Sequence, residues 1–206
     1  MTRVVLASGN AGKLRELAAI LAHLDLALVP QGELGVRAVP ETGTTFLANA
    51  LIKARHAAAV TGLPALADDS GLEVDALDGR PGVWSARFAG VDASDQDNLR
   101  QLLQELTGVP NALRTARYQC VIVLVRNDGD PDPLVAQGTW EGRIAAAPHG
   151  SGGFGYDPVF VPHGVAGEQR TAAQLTPAEK NAVSHRGQAL RALVAALASL
   201  SVYFRP

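Results

Sequence analysis

Short apolar runs alternate along the chain with longer segments in which apolar residues recur at helical spacing. The runs have the length and the flanking residues of strands, and they lie at 3–7, 26–29, 63–67 and 116–125. Segments with one apolar face are predicted to be helices: 13–22, 44–61, 92–107 and the segment that follows Ser184. This alternation predicts an α/β fold.

The strand predicted at 116–125 has a near neighbour along the chain. A turn-rich stretch at 128–133 separates it from a second run at 134–144, in which Gly138 and Gly142 are candidate bulge positions. Strands joined this closely are expected to pair antiparallel, so the sheet is predicted to be mixed.

Two adjacent aspartates follow the apolar run at 63–67. Asp68, Asp69 and Ser70 are expected at the C-terminal end of that strand, which is the edge where open α/β sheets bind ligands. The two carboxylates repel each other, and Mg²⁺, which prefers hard oxygen ligands, would offset their charge. Taken alone, the stretch is more typical of a turn, because Asp, Ser and Gly are common turn formers.

The sequence Ser-Gly-Asn-Ala-Gly-Lys at 8–13 lies between the first strand and the first helix. Backbone N–H groups at a helix start favour anions, and Lys13 adds a positive charge, so this loop is a candidate phosphate cradle. It is not a Walker A loop, since Ala7 and Leu14 replace the glycine and the hydroxyl residue of that motif. The alternative is an ordinary strand-to-helix turn with a solvated lysine.

The helix predicted at 44–61 carries a polar stripe of Asn49, Lys53 and His56. Such stripes are usually solvated. Glu41, just ahead of this helix, is on local evidence expected to be a surface or cap-region acid rather than a ligand.

Glycines surround two aromatic residues in the loop at 149–158. Phe154 and Tyr156 are expected to be poor core material there, but their rings offer a face on which a base could stack. The alternative is a flexible hairpin loop with incidental aromatics.

Helix-capping residues mark the C-terminal part of the chain. Thr176 is a predicted N-cap with Pro177 at the first helical position, and Ser184 is predicted to cap the last helix. His185 and Arg186 then fall in a first turn, where cations oppose the helix dipole. Such local conflicts tend to occur at functional sites.

Composition narrows the possible functions. The 206 residues are 47% hydrophobic with a net charge of −2, which suits one compact domain or two small lobes and argues against binding long nucleic acid. The single cysteine, Cys120, is expected to be a small core hydrophobe, which indicates a reducing, cytoplasmic setting. No apolar run reaches transmembrane length and no signal-peptide pattern is seen, so no membrane partner is predicted.

The order and spacing of five motifs closely resemble the inosine triphosphate pyrophosphatase family. The motifs are Ser8-Gly9-Asn10-Ala11-Gly12-Lys13, Glu41, Ala67-Asp68-Asp69-Ser70-Gly71-Leu72, Phe154-Gly155-Tyr156-Asp157-Pro158, and Lys180 with Ser184-His185-Arg186-Gly187. The resemblance covers essentially the whole chain. The chain departs from the family pattern in three respects. Its loop at 162–170 is longer, Gln174 stands where Glu is common, and Trp84 and Phe88 occupy positions that often hold other aromatic or aliphatic residues.

The resemblance implies a single pyrophosphatase domain over residues 1–206, with an elongated mixed central β-sheet flanked by helices and two lobes around a nucleotide cleft. It also implies a homodimer that depends on Mg²⁺. The implied reaction is hydrolysis of deaminated purine nucleoside triphosphates, namely ITP, dITP and XTP, to the monophosphate and pyrophosphate.

Motifs and resemblance together assign a role to each candidate residue. The phosphates would bind Ser8, Asn10 and Lys13 with the backbone of Gly9, Ala11 and Gly12, and Lys53 would add a second cation. Glu41 and Asp69 would bind Mg²⁺, and Asp69 would be the general base, assisted by Asp68. Ser70 would contact substrate, Phe154 would stack on the purine, and Gly155, Tyr156 and Asp157 would shape that end of the cleft.

Selectivity is expected at the purine 6-position. Arg186, with Lys180 and His185, can only donate hydrogen bonds when charged, which suits the 6-oxygen of ITP and XTP and leaves donors unpaired against the amino group of ATP. GTP also carries a 6-oxygen, so its rejection needs a second feature near the 2-position.

Three other functions are alternatives to this one. A related nucleotide pyrophosphatase of the septum-formation inhibitor type would act on modified pyrimidines or dTTP, but the motifs at Phe154 and Arg186 argue against it. A non-catalytic purine-nucleotide sensor would not need Glu41 and Asp69. A haloacid-dehalogenase phosphatase would release orthophosphate through an aspartyl nucleophile.

Overall fold

A computed structural model describes residues 2–21, 26–164 and 169–199. Six strands form one sheet in the order β2-β1-β3-β4-β5-β6. Their bounds are β1 Thr2–Leu6, β2 Leu26–Pro30, β3 Ala65–Val74, β4 Thr115–Val125, β5 Leu134–Ile144 and β6 Phe160–Pro162. Because β1 pairs parallel with β2 and β3 whereas β5 pairs antiparallel with β6, the predicted mixed α/β sheet is confirmed.

Five α-helices accompany the strands in the described part of the chain. They are α1 Ala11–Leu21, α2 Phe46–Thr61, α3 Asp95–Glu105, α4 Pro177–Val183 and α5 His185–Ser199. The hydroxyl of Thr45 accepts the N–H of Ala48 at the start of α2, and Gly62 ends that helix in the left-handed conformation. Helix α3 begins later than predicted because Ser94 caps it, and it ends at Glu105.

The predicted start of α4 is confirmed. Thr176 and Glu179 form a reciprocal capping box, and Pro177 occupies the first turn. On its β6 side, Gly142 pairs in unbroken register with Pro162. A Cβ there would lie 2.5 Å from the carbonyl oxygen of Val161, so glycine permits the close approach of β6. Among the described residues, no helix combines the length and apolar character needed to cross a bilayer.

The described residues divide into two compact units. The first unit comprises those within Met1–Asp69, Cys120–Gly138 and Arg186–Pro206, and the second comprises those within Ser70–Gln119 and Thr139–His185. Strands β3, β4 and β5 each contribute residues to both units.

The first unit has a core on each face of its strands. Leu6 and Leu66 pack in one core with residues of α1 and α5, and Val5 and Ala67 pack in the other with residues of α2. Successive side chains of a strand point to opposite faces, which accounts for the alternation. For the same reason, the side chains of the two aspartates that follow Ala67 in β3 point to opposite faces of the strand.

The second unit has an aromatic core. Tyr118 contacts Phe160 edge-on, with 4.7 Å between ring centroids, and stacks on His185 at 4.6 Å. Tyr156 is buried in the same core, with 4% of its surface exposed. The prediction that Tyr156 is poor core material is therefore wrong, because the turn at 154–157 directs its ring inward while its hydroxyl donates to the carbonyl of Ser85 at 2.8 Å.

Cys120 is a buried free thiol in β4, as predicted. Burial, with a smaller contribution from Asp68, raises the pKa of Cys120 to about 12. The thiol therefore stays protonated and unreactive at neutral pH.

Asp130 organises the turn between β4 and β5, and we expect Asp130→Asn to destabilise the protein. Its carboxylate accepts from the backbone N–H and the guanidinium of Arg126 and from the N–H of Asp132. Several interactions lower the pKa of Asp130 to about 2, and the largest contribution comes from the hydrogen bonds of the Arg126 side chain.

A carboxyl whose pKa is lowered on folding contributes stability above its unfolded pKa and loses it as pH falls through the folded value. Urea unfolding should show Asp130→Asn less stable than wild type by about 1–2 kcal/mol at pH 7, with the difference shrinking between pH 4 and pH 2. Asp128→Asn, an exposed neighbour, is the control. Equal stability of Asp130→Asn and wild type at pH 7 would contradict the assignment.

Candidate active site

Asp68 and Asp69 lie inside β3, which continues to Val74. The expectation that they follow the end of the strand is therefore wrong. However, within the described residues the register of β3 with β1 comprises Ala65 and Leu66, where β1 ends. The aspartates thus lie just beyond the carboxyl end of the parallel pair, which keeps them at the ligand-binding edge of those strands.

Asp68 points toward the face covered by α1 and α5. Its Oδ2 lies 2.9 Å from Nζ of Lys13 and 3.6 Å from Nη2 of Arg186. Burial opposes ionisation of Asp68, but Lys13 and then Arg186 outweigh it and hold its pKa well below the ordinary range. A carboxylate held this strongly ionised is a poor proton acceptor, so the structure argues against the predicted assisting role of Asp68 as base.

Arg186 lies in the first turn of α5, as predicted, and is 2% exposed. Its guanidinium pairs with Glu16 of α1 as well as with Asp68. These two carboxylates account for a cation at a position that the helix dipole disfavours. Burial disfavours the charged guanidinium, but the neighbouring acidic groups, of which Asp68 contributes most, together outweigh it, so the pKa of Arg186 is raised.

Asp69 points to the opposite face, toward α2. Nζ of Lys53 lies 3.2 Å from Oδ1 of Asp69 and 2.7 Å from Oε1 of Glu41, so one ammonium bridges the two carboxylates. Burial raises the pKa of Asp69, and Lys53 and Lys13 counter this only in part. Glu41 is thus part of a cluster rather than an isolated surface acid.

Asn49 is a site residue that sequence reasoning treated as part of a solvated stripe. It is fully buried, its Nδ2 donates to Oδ2 of Asp69 at 3.2 Å, and its Oδ1 accepts the N–H of Gly43 at 2.8 Å. A Cβ on Gly43 would lie 2.7 Å from that Oδ1, so glycine leaves room for the contact. The spacing from Asn49 to Lys53 was the available signal, because one helical turn separates two groups that hold Asp69.

The candidate phosphate loop is organised by its own side chains. Oδ1 of Asn10 accepts the N–H groups of Gly12 at 2.9 Å and of Lys13 at 3.0 Å, and Oγ of Ser8 accepts the N–H of Asn10 at 3.2 Å. Asn10 thereby caps the start of α1. Two backbone donors that were predicted to face phosphate are engaged by this cap, while Lys13 extends to Asp68.

In the second unit, Asp157 holds the loop at 152–158 together. It is 2% exposed. Its Oδ2 accepts a hydrogen bond from the backbone N–H of Phe154 at 2.9 Å and a second one from the ammonium of Lys180, with 2.7 Å between Nζ and Oδ2. The same ammonium lies 4.6 Å from the ring centroid of Phe154, a cation–π contact with a half-buried ring.

Two glycines permit this loop geometry. Gly153 and Gly155 have φ values of 71° and 60°, which side-chain-bearing residues rarely adopt. A Cβ on Gly153 would lie 2.0 Å from Oδ2 of Asp157. The glycine-rich sequence is therefore required by a specific fold around Asp157.

Two further candidate residues, Ser70 and His185, lie outside the contacts described so far. Ser70 is a half-buried residue of β3, and His185 is buried against Tyr118. The first unit therefore brings together the side chains of Lys13, Glu41, Lys53, Asp68, Asp69 and Arg186. The second unit brings together Phe154, Asp157 and Lys180.

Comparison with known proteins identifies the family to which these clusters belong. The model of the Ham1 family matches residues 4–196. The chain belongs to the Ham1 family. The dITP/XTP pyrophosphatase of Shigella flexneri is 58% identical to it over 197 residues, covering 96% of this chain and 98% of the relative. That of Vibrio parahaemolyticus is 55% identical over 199 residues, covering 97% and 98%.

Solved structures of the Ham1 family have the same fold as this chain. A HAM1 protein from Coxiella burnetii superposes with a TM-score of 0.89 at 51% identity, covering 97% of this chain and 100% of that one. The Ham1 protein of Staphylococcus aureus gives 0.84 at 39% identity, covering 96% and 99%. The family resemblance seen in the motifs is confirmed.

Proposed function

We propose that the chain hydrolyses the deaminated purine nucleoside triphosphates ITP, dITP and XTP to the monophosphate and pyrophosphate. The observation that carries the proposal is the cluster of Glu41, Lys53 and Asp69 in a Ham1 chain, since a buried carboxylate of raised pKa beside a second carboxylate and a cation suits metal-assisted hydrolysis. The similarity to two dITP/XTP pyrophosphatases supports the choice of substrate.

Glu41 and Asp69 suit a magnesium site. Both carboxylates contact the same ammonium, so the fold already directs both toward one cation. Within the described ranges no group of three or more His, Cys, Asp and Glu is placed to hold a metal, so the substrate's phosphate oxygens and water would complete the coordination. Mg²⁺ bound there would neutralise phosphate charge and polarise the phosphorus under attack.

Asp69 is the proposed general base. Its raised pKa brings it nearer the working range of a proton acceptor, whereas the lowered pKa of Asp68 does the opposite. Asn49 and Lys53 fix the two carboxylate oxygens of Asp69 and so orient it toward the attacking water.

Other groups would bind the two ends of the substrate. We assign the phosphates to Lys13, Lys53 and the loop at 8–13, and Ser70 to a contact with the substrate. We assign the purine to the face of Phe154 that Lys180 does not cover, with Lys180, His185 and Arg186 as donors to the 6-oxygen. Tyr156 and Asp157 would support Phe154 from within the fold. We further propose that the protein is a cytoplasmic homodimer.

Asn49→Ala should lower kcat by about 10–100-fold, as is typical when a hydrogen-bond partner of a metal-binding carboxylate is removed. The change frees Asp69 to rotate and leaves the N–H of Gly43 without its acceptor. Steady-state assay with ITP measures the effect. His56→Ala is the matched control, because His56 lies on the same helix stripe but contacts the carbonyl of Arg37. Similar losses in both variants would contradict an orienting role for Asn49.

The product identity tests the proposed reaction. Phosphorus NMR of ITP incubated with the protein and Mg²⁺ should show IMP and pyrophosphate, with no conversion when the metal is chelated. Orthophosphate with IDP would indicate a phosphatase instead. Binding without turnover would indicate a sensor, and faster cleavage of dTTP would indicate the pyrimidine-directed relatives.

A further inference from the structure

We infer that Asp95, a residue outside the five motifs, is a positioning residue that sets the orientation of Phe154 for base binding. This inference rests on the proposed function, since it concerns the residue assigned to stack on the purine. The observation behind it is that side-chain carboxylates accept hydrogen bonds from the backbone N–H groups of both Phe154 and Gly155.

Two carboxylates hold the two successive amides that flank the Cα of Phe154. Asp157 accepts the N–H of Phe154 at 2.9 Å, and Oδ2 of Asp95 accepts the N–H of Gly155 at 2.7 Å. The dihedral angles φ and ψ of Phe154 lie between these two amides, so both are constrained. These angles set the direction of the Cα–Cβ bond of Phe154, and the contact with the ammonium of Lys180 then places the ring.

The two carboxylates differ in what they anchor the loop to. Asp157 belongs to the loop itself, and its bond to Phe154 closes a local turn. Asp95 is the first residue of α3 and lies 60 positions away in sequence, so its bond ties the loop to a separate element. Without Asp95, the loop could keep its internal shape while losing its tertiary anchor at Gly155.

The anchor itself is held firmly. Ser94 and Asp97 form a capping box around Asp95 at the start of α3. Asn98, buried on the next turn, accepts the N–H of Ala89 at 2.8 Å and donates to the carbonyl of Ala86 at 3.1 Å. Helix α3 is thereby joined to the short 3₁₀ segment Gly82–Arg87.

The same 3₁₀ segment provides a second attachment for the loop. The carbonyl of Ser85 accepts the hydroxyl of Tyr156 at 2.8 Å, while Oγ of Ser85 accepts the N–H of Leu72 in β3 at 2.9 Å. Asp95 and Ser85 therefore hold adjacent residues of the loop, Gly155 and Tyr156, from one connected support. Substitution of Asp95 removes the first contact without changing a side chain of the loop itself, whereas the donor of the second contact, the Tyr156 hydroxyl, belongs to the loop.

Asp95→Ala is expected to raise KM for ITP about three- to tenfold with kcat changed less than about twofold, a range set by the net value of one charge-assisted hydrogen bond at a solvent-accessible site. Calorimetry should show a matching loss of affinity for IMP and an unchanged affinity for pyrophosphate, which carries no base. Asp95→Asn keeps an oxygen acceptor and should recover part of the loss.

Asp92→Ala is the matched control, since it removes an exposed carboxylate from the turn before α3. The inference would be overturned by an unchanged KM in Asp95→Ala, by equal effects in Asp92→Ala, or by a loss confined to kcat. A wild-type protein that fails to hydrolyse ITP would instead refute the proposed function. The two failures are therefore distinguishable.

Discussion

Asp69→Asn is expected to lower kcat for ITP by about 10²–10⁴-fold, the range that a positioned general base contributes. The amide keeps the shape of the side chain and an oxygen that Lys53 can still contact, but it cannot accept a proton from water. The substitution also removes one carboxylate from the proposed magnesium site. Binding of IMP, which does not depend on proton transfer, should survive.

The kinetic consequence of Asp69→Asn can be separated from a folding defect. Asp75→Asn removes an exposed carboxylate just after β3, where Asp75 contacts Arg117, and should retain near-normal kcat. Thermal unfolding of Asp69→Asn should stay close to that of wild type, because relief of the repulsion between Asp69 and Glu41 offsets the loss of the oxygen that accepts from Asn49. An Asp69→Asn protein that turns over ITP within tenfold of wild type would remove Asp69 as the base.

Arg186→Met is expected to lower the free energy of unfolding by about 3–5 kcal/mol, the usual cost of removing one partner from a buried ion pair. The variant keeps an apolar stem of similar length but leaves Asp68 and Glu16 without the guanidinium that contacts both. Asp68 keeps Lys13 as a partner, so the protein should still fold. Urea unfolding at pH 7 measures the loss.

The cause of this loss can be tested by removing the opposite charge. Arg186→Met combined with Glu16→Gln should recover part of the lost stability, because one uncompensated carboxylate is then neutral. The pKa of Asp68 is lowered on folding, so its ionised form contributes stability above its unfolded pKa and loses it as pH falls. The stability gap between wild type and Arg186→Met should therefore narrow below about pH 4.

Arg186→Met also tests selectivity. If Arg186 donates to the purine 6-oxygen, the ratio of kcat/KM for ITP to that for ATP should fall by about tenfold or more, the value of one unpaired donor. An unchanged ratio would mean that the guanidinium serves Asp68 and Glu16 alone. An unchanged stability would contradict the ion-pair account.

Most helices and strands could be predicted from the local sequence, because short-range patterns determine them. The strand at 134–144 and the cap at Thr176 follow from short-range patterns of apolar residues and hydroxyls, and the structure has both. The extent of β3 was misjudged, because Asp, Ser and Gly favour turns locally while the neighbouring strand β4 holds them extended.

The site was predicted less completely than the elements. Its residue types were evident, but the different roles of Asp68 and Asp69 depend on the opposite faces of one strand and on which cations lie on each face. Asn49 and Asp95 were missed because their partners lie far away in sequence. Tyr156 was misjudged because flanking glycines indicate only which backbone conformations are allowed, whereas the packing of the ring depends on residues distant in sequence.

The most direct test of the proposed function is one substrate panel. Pyrophosphate release would be measured for ITP, dITP, XTP, GTP, ATP and dTTP, each with and without Mg²⁺. The account predicts fast, metal-dependent release from ITP, dITP and XTP, with ATP and dTTP cleaved at least about a hundredfold less efficiently, as two mismatched donors would cause. Comparable cleavage of ATP and ITP, or a preference for dTTP, would contradict it.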